Sequence, residues 1–67
     1  MTMDTEQMTQ LEALVDATSL SQVVATLGEI CDEKAQHIEV TWQDRPLARL
    51  WAGDGDRLKA ITQKLNN

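Results

Sequence analysis

One cysteine and one histidine are all that this chain holds of the strong transition-metal ligands. A zinc or iron site needs two or three more ligands, and no second Glu-x-x-His element is present, so neither a metal nor another cofactor is expected. Cys31 alone cannot form an internal disulfide. That speaks against a secreted disulfide scaffold and for a reducing compartment, with Cys31 serving as a small buried hydrophobe. No apolar run approaches the length of a membrane-spanning helix, and Met1 to Glu6 carry acids where a signal peptide carries bases, so a cytoplasmic protein is expected. Phenylalanine and tyrosine are absent. Trp42 and Trp51 are therefore the only aromatic residues, each a core anchor or an interface hot spot. Bases are scarce as well: residues 1–43 hold eight acids and only Lys34, giving −7, whereas residues 44–67 hold three acids and five bases, giving +2. The split suits a basic C-terminal segment folded back on acidic helices, or a head-to-tail dimer. It weakens direct nucleic-acid binding and leaves an acidic nucleic-acid mimic as a minor alternative.

What is present is a long apolar segment from Ser19 to Gln43. Its large residues, Leu20, Val23, Val24, Leu27, Ile30, Cys31, Ile38 and Trp42, recur at the spacing of one helix face. Ser19 followed three residues later by Gln22 is a capping box, in which hydroxyl and amide each satisfy a backbone group left free at a helix start. The face has a bulky flank, Val23, Leu27 and Ile30, and a flank of small residues, Val24, Gly28, Cys31 and Ala35. Gly28 costs a helix roughly 1 kcal/mol relative to alanine. A missing side chain is most useful where another backbone comes close, so a neighbouring helix is expected to cross at Gly28.

Before this segment, Met1 to Asp4 are expected to be frayed. A first helix should begin between Thr5 and Thr9, with Thr9 and Glu12 as a second capping box and Met8, Leu11, Leu14 and Val15 as its apolar stripe, and end near Asp16 or Ala17. Ala13 and Ala17 are then placed to meet the Gly28 groove. After it, two architectures are open. In one, the long helix runs to about Gln43, and Asp44 caps a third helix with Pro46 in its first turn. In the other, the alternation of Ile38 to Trp42 is a strand, Gln43 to Pro46 a turn and Leu47 to Ala52 the return strand of a β-hairpin. Gly53-Asp54-Gly55-Asp56 predicts a kink or break before a final helix that ends at Asn66. The fold class expected is all-α, one domain over residues 1–67 with 1–4 disordered, built as a helical hairpin plus a C-terminal helix. The alternative is α+β, with the hairpin at 38–52.

Chemistry is sparse. Glu29, Glu33 and His37 share a helix face at a spacing that suits a metal, but a solvated face explains them as well. Gly53 to Asp56 fails as a calcium loop because Leu58 and Lys59 occupy the next carboxylate and the glycine positions, and Leu58 stands where a dinucleotide fingerprint needs glycine. Ser19 and Ser21 have no histidine near them in sequence. An enzyme is not expected.

Two resemblances carry further expectations. The run Leu14 to Leu20, then Glu29-Ile30-Cys31, Glu33-Lys34-Ala35, His37-Ile38, Trp42-Gln43-Asp44, Leu47-Ala48 and Trp51, resembles a family of small uncharacterised bacterial and phage helical proteins. The resemblance spans most of the chain and implies a helix after Trp-Gln-Asp, from which Gly53 and Gly55 depart. It carries no activity. Residues 40–50 are similar to the β-hairpin of prevent-host-death antitoxins, over about a sixth of the chain, which implies a toxin-neutralising regulator.

A chain of 67 residues buries only about 60% of its unfolded surface. Its large apolar residues, eight leucines, four valines, three isoleucines, two tryptophans and Met8 after the first three positions, are few against the entropy of ordering the whole chain. Another protein or a second copy, as a homodimer, is therefore expected to complete the fold. The function that follows is a small protein-binding module, an adaptor or inhibitor of the kind phages carry, with an antitoxin-like regulator and an acidic mimic as alternatives. The interaction candidates are Gly28, Trp42, Arg45, Arg49 and Trp51, with self-association through the Gly28 groove or the tryptophan face.

Overall fold

The computed structural model describes residues 2–65 and is all-α: helix α1 (Thr5–Ala17), helix α2 (Leu20–His37), a π-helical turn over Ile38–Trp42, and helix α3 (Arg45–Thr62). No strand occurs among the described residues. The β-hairpin alternative is thereby overturned. Ile38, Val40 and Thr41, which alternate like a strand, instead widen the last turn of α2. With α3 beginning at Arg45, no return strand exists to satisfy an extended backbone there.

Each helix start is set by a side chain that accepts from an orphan backbone N–H. Asp4 caps α1 in a reciprocal box with Gln7, Asp4 Oδ1 accepting from Gln7 N at 2.8 Å and Gln7 Oε1 accepting from Asp4 N at 3.1 Å. The cap thus lies at Asp4 and not at Thr9, whose hydroxyl donates to Thr5 O inside the helix. Asp4 thus serves as the cap of α1; of the expected frayed segment, Met1 lies outside the described residues. Ser19 Oγ accepts from Gln22 N at 3.1 Å and starts α2 where the sequence predicts. Asp44 Oδ1 accepts from Leu47 N at 3.1 Å, and Pro46 sits in the first turn of α3, where its missing N–H leaves no bond unmade. Between α2 and α3 the chain reverses at Gln43, which takes a left-handed conformation with φ 54°.

α3 runs unbroken through Gly53 and Gly55, so the expected kink is corrected, and the helix closes at Thr62. Asn66, the predicted end, lies outside the described residues. Packing accounts for the continuity. Gly55 is buried against α2, where a Cβ would lie 3.0 Å from Gly28 O and 3.3 Å from Cys31 Cβ, and the reciprocal Cβ on Gly28 would lie 3.2 Å from Gly55 O. The helix that crosses at Gly28 is α3, not α1, so Ala13 and Ala17 do not enter the groove. Among the described residues, Gly28, Cys31 and Ala35 on α2 and Ala48 and Gly55 on α3 are the buried ones, and all are small. Backbones in contact replace the interlocking of large side chains. α1 packs on α2 alone and buries none of its residues.

Candidate interaction surface

The helical period and two contacts divide the α2–α3 hairpin into faces of opposite character. On α3, Arg45, Arg49, Ala52 and Lys59 follow one stripe, and Leu47, Leu50, Trp51, Leu58 and Ile61 follow another. The Lys59 ammonium donates to Asp32 of α2, which fixes the first stripe beside Asp32, Gln36 and Glu39. Hydrogen bonding to Asp32 raises the Lys59 pKa above its ordinary 10.5, with Asp56 and Glu29 adding attraction and desolvation opposing. This pair realises the expected fold-back of the basic C-terminal segment on an acidic helix. Lys34 Nζ lies 5.8 Å from the Trp51 ring centroid, a cation–π contact that puts the second stripe beside Leu20, Leu27 and Lys34.

The second face is apolar and open. Leu50 is 66% exposed, Ile61 48%, Leu20 44%, and Leu27 and Leu47 41% each, while Trp51 is half-buried beneath Lys34. The polar face holds a shallow depression of about 340 Å³ lined by Ala35, Gln36, Glu39, Arg45 and Arg49. At the end of the hairpin, Trp42 and Val40 are each 71% exposed.

The five sequence candidates therefore separate. Gly28 is buried inside the chain, and its groove is filled by α3. Trp42, Arg45 and Arg49 are exposed at the hairpin end, and Trp51 belongs to the open apolar face. A feature absent from the sequence reading is the crook between α1 and α2, about 380 Å³, lined by Leu11, Leu14, Val23, Leu27 and Ile30. Its signal is present in the sequence as the bulky flank of α2, which has no small-residue stripe opposite it.

Glu33 and His37 share no cluster with a third acid, histidine or cysteine; no such group of three occurs among the described residues. His37 Nδ1 lies 3.5 Å from Thr41 Oγ1. Asp54 pairs with Arg57 at 2.8 Å on the surface of α3, so the Gly53 to Asp56 run forms a helix turn and no loop. Among the described residues no helix is long and apolar enough to cross a membrane. No protein-family model matches the chain, and no curated protein or solved structure matches it.

Proposed function

We propose that this chain is a small, non-enzymatic protein-binding module that acts in the cytoplasm as an adaptor or inhibitor, by covering part of a partner protein. The observation that carries this reading is Trp42. A whole indole at the tip of a helical hairpin stands 71% exposed, where its own chain gives it almost nothing to pack on. Tryptophan and arginine dominate the energetics of protein interfaces when an apolar anchor is ringed by polar contacts, and Arg45 and Arg49, both exposed, follow Trp42 in the chain after the Gln43 turn.

The test is capture from host extract treated with nuclease, run side by side with the unaltered chain, Trp42→Ala and Arg49→Ala. A stoichiometric partner retained by the unaltered chain and lost by Trp42→Ala, with helix content by circular dichroism unchanged, is the expected result. Capture that is indifferent to both substitutions would sink the tip reading.

A further inference from the structure

We infer that the open apolar face of α2 and α3 is closed by a second copy of this chain, in an isologous dimer centred on Leu47, Leu50, Trp51 and Ile61 of α3 and Leu27 of α2. The inference is independent of the tip reading, since Trp42 anchors that one and is no part of this patch.

Area argues for it first. The accessible surface is 5596 Å². A compact monomer of 7.5 kDa exposes about 4,200 Å². The excess, about 1,400 Å², lies within the ~1,000–2,500 Å² that each subunit gives up in an obligate dimer. Shape agrees. The radius of gyration is 13.6 Å, against about 11 Å for a compact domain of this length, and the shortest dimension is 17 Å. This is one layer of helices, whereas a stable domain needs two layers around a core. The composition of the interior makes the same point: among the described residues nothing larger than cysteine is buried, so each large apolar residue described still awaits cover on at least one side.

Two considerations select a second copy over a foreign partner. A fold without a large buried side chain needs its cover from the moment it forms, and only another copy of the chain is always present at folding. The opposite face, with Asp32, Glu39, Arg45, Arg49 and Lys59, is polar, so a pair formed through the α2–α3 face uses the same patch on both copies and leaves charged groups outside. Two such layers close on each other and stop, which yields a dimer and not a filament. A lipid surface is disfavoured by the net charge of −5.

Sedimentation equilibrium of the full chain, with thermal melts across a range of concentrations, tests this. Twice the 7.5 kDa chain mass and a melting midpoint that rises with concentration are expected. Leu50→Asp and Ile61→Asp should shift the population to monomer or unfolded chain, whereas Val40→Asp, away from the face, should leave the dimer intact. Should Leu50→Asp fail to fold, Leu50→Ala is compared, with at least a tenfold weaker self-association expected and an unchanged dissociation constant counting against the face. A folded monomer with a concentration-independent midpoint would overturn the inference. So would a dimer that survives Leu50→Asp but is lost on Leu14→Asp in the α1–α2 crook, or a monomer that associates only with phospholipid vesicles.

Discussion

Gly28 and Gly55 bring α2 and α3 into backbone contact: a Cβ on Gly55 would lie 3.0 Å from Gly28 O, and one on Gly28 would lie 3.2 Å from Gly55 O. Two helical glycines cost intrinsic stability, and their retention inside α2 and α3 is explained by the approach they permit. A methyl group on Gly55 would also lie 2.6 Å from Asp32 Oδ1, the carboxylate that holds Lys59.

Gly55→Ala is therefore expected to destabilise the chain by about 1–3 kcal/mol, as overpacked sites do, despite the better helix propensity of alanine. Gly53→Ala is the contrasting case. Its Cβ would meet nothing nearer than the Arg57 guanidinium at 3.8 Å, so the propensity gain of ~0.5–1 kcal/mol should appear undiminished. Urea melts of the two variants should move in opposite directions; equal shifts would mean that the seam is not close-packed.

Gln43 carries the reversal between α2 and α3 at φ 54°, ψ 31°, a conformation that disfavours side chains branched at Cβ. Gln43→Val should cost about 1–2 kcal/mol, and Gln43→Gly should be neutral or stabilising by less than about 1 kcal/mol. If valine were tolerated as well as glycine in thermal melts, the turn would not hold this conformation in solution.

The Lys59–Asp32 pair gives stability an alkaline limit. Because the folded chain holds the Lys59 proton more tightly than the unfolded chain, the contribution is complete below pH 10.5 and is lost as pH rises through the raised folded value. Melting midpoints of the unaltered chain should fall in that window more steeply than those of Lys59→Met. Added salt should narrow the difference, since both side chains are substantially exposed. Parallel pH profiles would show that the pair does not form.

Cys31 lies on the seam and is buried. Its reaction with a disulfide reagent should be slow in the native chain and accelerate in Gly55→Ala, because access requires α2 and α3 to part. A thiol titration at native pH reads this directly, and prompt reaction of the unaltered chain would contradict the packing.

Local signals are the legible part of this sequence. Ser19, Asp44 and Pro46 mark helix starts because capping is a matter of three or four consecutive residues, and the period from Leu20 to Ile38 needs no tertiary knowledge. Gly28 is legible as a point of close approach. The residue that approaches it is not, since Gly55 stands 27 positions away, and the same glycine reads locally as a helix breaker beside Gly53. Summed propensity cannot weigh a burial that depends on another helix. The π turn at Ile38–Trp42 escapes for a related reason: its β-branched residues satisfy a strand pattern, and only the course of α3 removes the partner strand. Of the site candidates, Trp42, Arg45 and Arg49 are exposed, whereas Gly28 is consumed by the fold itself.

α1 is fastened through α2 alone and buries none of its own residues, which gives the molecule an order of opening. Amide hydrogens of Thr5–Ala17 should exchange with solvent by detachment of that helix as a unit, well before those of the Gly28–Gly55 seam, which are released only when the hairpin comes apart. Exchange in two separate phases, with the boundary at Thr18 and Ser19, is the expected result. Exchange of α1 should then respond to substitutions at Leu11 or Leu14 while exchange of the hairpin does not.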